Sequence, residues 1–406
     1  MVFSGCLEEI CGKMADVDMK NLREFEDDDI EVIKFKSESL KEELNKFVFS
    51  GVCDQVSSTY HLDKDLSKGH EAVLFMIKNF SKNKKFEEEY IKRLYYHDLS
   101  RSVYRVSPAN VDHEFIITQA RDQVFKKAIQ MKEFHAMKTA IRFLEDPKIM
   151  NPYGKPIEEK FNWLDFKDKV DADFLYFIGS ADLFFNHERV KKMMFLLEKL
   201  GISFTISRDE QDCGYLARVL GRLNSADKLK EMNKEMILRS GLKNVITSDP
   251  HCYIELQQDL ESSDITVWYL TELISNKIFS LNSKQLHKTR MKVVFQDSTI
   301  LPPKMDKLAP RILSNIGCDV IETPFSKENS LSTGEGGGFS LNYPEDSLRI
   351  ANMRLEEAKE AGAEAIISDS PHDFSNLNKA KKKYSSKIKV YDLLTLVSQA
   401  VKWTSS

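Results

Sequence analysis

Cysteine is scarce in this chain: Cys6, Cys11, Cys53, Cys213, Cys252 and Cys318 are the six in 406 residues. They are too few and too scattered for the disulfide framework of a small secreted protein. Cys6 and Cys11 have no second pair with which to enclose a metal ion. No apolar run approaches the ~20 residues of a membrane-spanning helix. A net charge of −4 leaves no basic footprint for nucleic acid or an anionic membrane surface. The first residues lack the basic and long apolar regions of a secretory signal, so a cytoplasmic location is expected. The acidic run 24–29 reads as a solvated loop. The glycine-rich stretch 334–338 lacks both the Gly-Lys-Ser/Thr ending of a P-loop and the G-x-G-x-x-G order of a dinucleotide turn. Glu335 inside it would repel phosphate, so a turn with positive φ is expected.

What is present is a tandem repeat. Asp249-Pro250-His251-Cys252 and Ser370-Pro371-His372-Asp373 each follow an apolar run. Asp212-Cys213-Gly214 precedes the first by 34 intervening residues, and Ser332-Thr333-Gly334 precedes the second by 35. One step further back, Ser180 stands 31 residues before Asp212, and Thr299 stands 32 before Ser332. Internal periodicity of this kind fixes the architecture before any single motif is read.

Periodicity then assigns elements. Residues 46–150 read as helical, with apolar three- and four-residue spacing over 71–80, 85–96, 117–132 and 135–144. A helix is also expected at 37–46. Beyond the Pro- and Gly-rich 151–156, short buried strands are expected at 174–179, 203–207, 244–248, 265–269, 291–295, 319–322, 365–368 and 388–391. Helical patterns alternate with them, including 188–200, 213–223, 226–239, 305–315, 344–361, 376–384 and 392–403. The domains expected are an N-terminal extension (1–45), a helical domain (46–150), a linker (151–170) and two α/β lobes with parallel sheets (171–285 and 286–406) related by pseudo-two-fold symmetry. Asp249-Pro250 and Ser370-Pro371 read as helix N-caps followed by proline at the first helical position.

Two turns of the helical domain share the period i, i+3, i+6, i+10, which in bacterial-type ferredoxins presents four thiolates to a cubane cluster. Here the positions hold Phe47, Ser50, Cys53, Ser57 and His97, Ser100, Val103, Ser107. Phe and Val cannot ligate iron, so both segments read as helix-connecting turns.

The double repeat resembles the cysteine-rich CCG domain of heterodisulfide reductase subunits and of glycolate and glycerol-3-phosphate dehydrogenase iron–sulfur subunits. The glycines at 334–338, the Pro-His steps at 250–251 and 371–372, and Asn151-Pro152-Tyr153-Gly154 resemble flanking features of those proteins. With the two upstream turns, the order of parts is similar to the heterodisulfide reductase D type, over roughly residues 40–400. The resemblance implies cluster-ligand positions at Ser180, Asp212, Cys213, Asp249 and Cys252 in the first lobe. In the second it implies Thr299, Ser332, Thr333, Ser370 and Asp373. With the two turns included, fifteen of eighteen such positions hold no cysteine. The expectation is therefore a relative without cofactor, acting as a scaffold, self-assembling or partner subunit through protein contacts. The alternatives are a thiol–disulfide or zinc subunit using Cys213 and Cys252, with Asp249 and His251 completing a zinc set, or an accessory subunit of an oxidoreductase complex. His97-Asp98 and His372-Asp373 are sequence neighbours with no registered nucleophile, so neither is expected to act as an acid–base pair.

Overall fold

The computed structural model describes residues 38–48, 50–80, 88–165, 171–278 and 286–401. Cys6, Cys11 and the acidic run 24–29 lie outside the described residues.

Seven α-helices build the first described part: Glu38–Lys46, Ser58–Asp63, His70–Phe80, Glu88–Tyr95, Ser102–Val106, His113–Ala128 and His135–Glu145. The helix expected from 117 starts earlier, because the Asp112 side chain accepts the Phe115 N–H at 2.9 Å and fixes the N-terminus there. Ile116, Ile117, Ala120 and Val124 then fall on its core face.

Two sheets follow. β1 (Phe174–Phe177), β2 (Phe204–Thr205), β3 (Asn244–Thr247) and β4 (Thr266–Tyr269) are all parallel, in the order β2-β1-β3-β4. β5 (Lys292–Gln296), β6 (Asp319–Val320), β7 (Ala365–Ser368) and β8 (Lys389–Asp392) repeat that order as β6-β5-β7-β8. The central strands are near-continuously apolar, as in Val245-Ile246 and Ala365-Ile366-Ile367, because helices cover both faces. The chain is thus an α/β pair of lobes behind a helical domain, as the repeat implied.

The helix expected over 213–223 divides into Tyr215–Val219 and the start of Leu223–Ser240. Gly221 sits between them at φ +85°, and a Cβ there would meet the Arg121 carbonyl carbon at 2.5 Å. Only glycine satisfies both the left-handed turn and this approach of the helical domain. The helix expected from 376 begins instead at Pro371, immediately after its Ser370 cap. The last helix, Leu393–Ala400, stops short of the expected 403.

Arg121 ties three parts together. Fully buried, it donates to the carbonyls of Leu94 (2.8 Å), His97 (3.2 Å), Val219 (2.6 Å) and Gly337 (2.8 Å), drawn from the helical domain and both lobes. Arg189 does the same between the lobes: its Nε donates to Asp392 at 2.8 Å, and Nη1 reaches Asp182. Its Nη2 donates to the carbonyls of Ser248 and Asp369 at 3.3 and 3.2 Å.

Candidate functional site

In each sheet the chain runs outward from the first strand, then returns to the other side of it. The crevice at the carboxyl ends of β1 and β3, where the order reverses, is where such sheets place ligands. Ser180 follows β1 there and Asp249 follows β3. Around them lies a cavity of about 260 Å³ between the lobes, whose lining includes Ser180, Asp212, Cys213, Asp249, Cys252 and His372. All five positions singled out in the first repeat therefore converge.

Local chemistry holds each in place. Asp249 caps the Pro250–Leu260 helix, accepting the His251 N–H at 2.9 Å. Asp212 accepts the Gly214 N–H at 2.9 Å, closing a turn with Gly214 at φ +86°. The buried Glu210 carboxylate accepts the Ile178 and Gly179 N–H groups at 2.9 and 2.7 Å. Gly179 has no side chain to spare, since a Cβ would come within 3.0 Å of Cys252 Sγ. The neighbouring Cys252 side chain lowers the Cys213 pKa, but burial and the Asp212 and Asp249 carboxylates outweigh it and push the thiol up to about 11. Burial drives Cys252 well above its ordinary value.

Across the interface, Asp249, Glu335, His251 and His372 form a closed ring. His372 Nε2 lies 3.1 Å from Asp249 Oδ2, and His372 Nδ1 lies 3.6 Å from Glu335 Oε2. His251 Nδ1 lies 3.3 Å from Asp249 Oδ1, and its Nε2 3.4 Å from Glu335 Oε1. The two imidazoles meet edge-on at 4.6 Å. Burial opposes charge on both members of the cross-lobe pair, but their mutual attraction wins. Asp249 is held well below the usual carboxylate range, and His372 is raised to about 10. His372 and Glu335 are the residues that sequence reasoning missed. The signal for His372 was present in the matching Pro-His offsets. It pairs with Asp249 of the other lobe, while its neighbour Asp373 accepts from Thr333.

The second repeat's positions are differently occupied. Ser332 accepts from and donates to the helical domain, with Ser58 Oγ 3.1 Å from its hydroxyl and Asp98 accepting its proton. Ser370 caps the Pro371–Tyr384 helix. Burial and the Glu335 charge raise Asp373 to about 7. Thr299 is buried just beyond β5. The glycines of 334–338 make a turn, with Gly334, Gly337 and Gly338 at positive φ. Gly336 is there for space, because a Cβ would stand 2.6 Å from the Asp98 carbonyl oxygen.

In the helical domain the two turns are filled by its own side chains. The Glu71 carboxylate accepts from Ser50 N (2.8 Å), Ser50 Oγ (2.8 Å), Gly51 N (2.7 Å) and Cys53 N (3.1 Å). Burial and the Glu71 charge raise the Cys53 thiol to about 12. His70 Nδ1 contacts Ser57 Oγ of the same turn at 3.0 Å, and its ring lies 4.7 Å from that of His97 in the other turn. Ser100 and Ser107 serve as local caps for Ser102 N and Val111 N at 3.3 and 3.2 Å. Val103 and Phe47 are core. One protonated thiol beside a carboxylate is not a donor set for a four-thiolate cluster. Neither turn fits one. In the first lobe two sulfurs, carboxylates and imidazoles fall short of four thiolates as well, but they are competent metal donors.

Comparison with known proteins agrees with the repeat. The family model described as "Cysteine-rich domain" (CCG) matches residues 176–257 and 293–378. The probable iron–sulfur-binding oxidoreductase FadF of Bacillus subtilis is 26% identical over 274 residues, covering 62% of this chain and 39% of that protein. The D-type subunit of the dihydromethanophenazine:CoB–CoM heterodisulfide reductase of Methanosarcina barkeri is 26% identical over 270 residues, covering 63% of this chain and 66% of that protein. The chain thus spans less than two thirds of either relative. A hypothetical protein from Helicobacter pylori shares the fold, with a TM-score of 0.56 at 12% identity over 92% of this chain and 74% of that one. These matches overturn the expectation of a chain without a cofactor: relatives named for iron–sulfur binding point to a bound inorganic group. That expectation rested on the loss of cysteine at most of the ligand positions. Among the described residues, no helix is long and apolar enough to cross a membrane.

Proposed function

We propose that the chain, whose two lobes each match the cysteine-rich CCG domain, works as a partner subunit in an oxidoreductase-type assembly. Its working part is the chamber between the lobes, and the helical domain serves as an architectural brace. The observation that carries this reading is the unequal fate of the ligand positions. Those of the first repeat open on one cavity with His372 and Glu335, while the turns of the helical domain are occupied by Glu71 and His70. A thiol–disulfide role for Cys213 and Cys252 is less well supported, because a reactive thiol needs a lowered pKa and both are raised. Relatives that are themselves named as subunits support association with other chains.

The test is recovery of the tagged chain from its own cells without oxygen, followed by native mass measurement and metal and sulfide analysis. A stoichiometric redox partner is the expected result. A monomer that by itself reduces a disulfide from an artificial electron donor would overturn the reading.

A further inference from the structure

We propose that the lobe interface is a binding site for a single divalent transition-metal ion, ligated by Asp249 and His251 from one lobe and His372 from the other. One donor atom from each of these residues lies within 4.8 Å of the others. A tetrahedral ion with bonds of about 2.1 Å sets its donors roughly 3.4 Å apart, so the longest of these separations needs to contract by about 1.4 Å at most. Imidazole with carboxylate is the donor set of borderline ions such as Zn²⁺, Co²⁺ and Fe²⁺.

A second observation points the same way. His251 Nδ1 is buried and has no hydrogen-bond partner, although it faces Asp249 Oδ1 at 3.3 Å. An unsatisfied buried nitrogen is costly, and a shared ion would satisfy it. Its other nitrogen, Nε2, faces Glu335 Oε1 at 3.4 Å, a carboxylate placed to orient the ring from behind. The backbone is pre-set too. Asp249 and His251 are fixed by the cap of the Pro250–Leu260 helix, and His372 by the equivalent Ser370 cap of Pro371–Tyr384. Two helix starts carrying Pro-His at the same offset meet between the lobes, and a bound ion would tie the lobes together there. Cys213 and Cys252 line the same cavity but are not among the side chains whose donor atoms converge, and the proposal leaves them out of the ligand set.

The inference rests on the chamber being the working site but not on any partner, so metal binding can fail while subunit association stands. The experiment is titration of the chelator-treated full chain with Co²⁺, read by visible absorption and calorimetry. One Co²⁺ per chain is expected, with visible bands of a nitrogen- and oxygen-ligated ion and a rise in melting temperature. His372→Gln and Asp249→Asn, the second of which keeps a capping oxygen, should each weaken binding at least ~100-fold with an unchanged circular dichroism spectrum. A near-ultraviolet sulfur-to-cobalt charge-transfer band would overturn the assignment in favour of the thiols. So would unchanged affinity in His372→Gln, or no binding at all.

Discussion

Acidification should loosen the helical domain before it affects the lobes, because three buried imidazoles must stay neutral there. His70, His97 and His113 are 0%, 1% and 3% exposed. Burial lowers all three, His70 and His113 to about 3 and His97 well below its ordinary value. A folded pKa below the unfolded value of ~6.5 means that only the unfolded chain takes up the proton. Stability is therefore complete above about pH 6.5 and falls as the pH drops from there towards 3. Each imidazole loses ~1.4 kcal/mol per pH unit, so three lose roughly 6 kcal/mol between pH 6.5 and 5. Asp54, raised to about 6 by burial, and Asp98, also raised by burial, bind protons in the folded state and act in the opposite sense. Asp54 offsets about 1 kcal/mol of this over the same range and Asp98 adds to that offset, so the net loss is smaller than the imidazole total. Hydrogen exchange of the His113–Ala128 helix in urea, at a series of pH values, measures this. His113→Gln isolates one proton: His113 Nδ1 has no partner and its Nε2 only a 3.9 Å contact with Cys53 Sγ, so little else is removed. The variant should shallow the slope of stability against pH by about one proton. A flat profile from pH 7 to 5, or a wild-type slope in His113→Gln, would refute the reasoning.

Replacing Arg121 with Met keeps most of the volume but strands four buried carbonyls, and it should cost about 3–5 kcal/mol with a matching fall in melting temperature. Gly221→Ala and Gly241→Ala impose the same left-handed penalty of about 1–2 kcal/mol, yet only the first meets backbone, at 2.5 Å. The melting temperature should consequently drop clearly further for Gly221→Ala, and equal drops would count against the packing described. Iodoacetamide at mildly alkaline pH should label Cys213 and Cys252 orders of magnitude more slowly in the folded chain than in urea, since burial keeps both protonated. Mass spectrometry of the labelled peptides reads the ratio, and comparable rates would revive the thiol-redox reading.

Most of the fold was legible because its strands are short apolar runs between caps that the sequence spells out. Asp249-Pro250 and Ser370-Pro371 announce helix starts through the physics of orphan N–H groups, and both helices begin there. The division after Val219 was hidden. Nothing in Leu220-Gly221-Arg222 says that Arg121, about a hundred residues earlier in sequence, presses its backbone into that turn. Long-range close approach overrides local propensity and leaves only a glycine as its trace.

The site divides along the same line. Spacing identifies which residues of the two repeats are equivalent, so the first-repeat positions could be gathered from the sequence alone. It does not identify which residues oppose one another across the symmetry axis. His251 and His372 are equivalent by offset, and the two rings meet between the lobes. Sequence reasoning set aside a pair of His372 with its neighbour Asp373, and successive residues at a helix start do point in different directions. The fold pairs His372 with Asp249, the residue that in the other repeat occupies the capping position. Glu335 reaches the same place from the second repeat's glycine-rich turn, where its charge argued against phosphate. In the ring that charge has a positive counterpart, because the His372 imidazolium lies beside it. A repulsion that excluded one ligand class from the sequence thus becomes, in three dimensions, an attraction that builds the site.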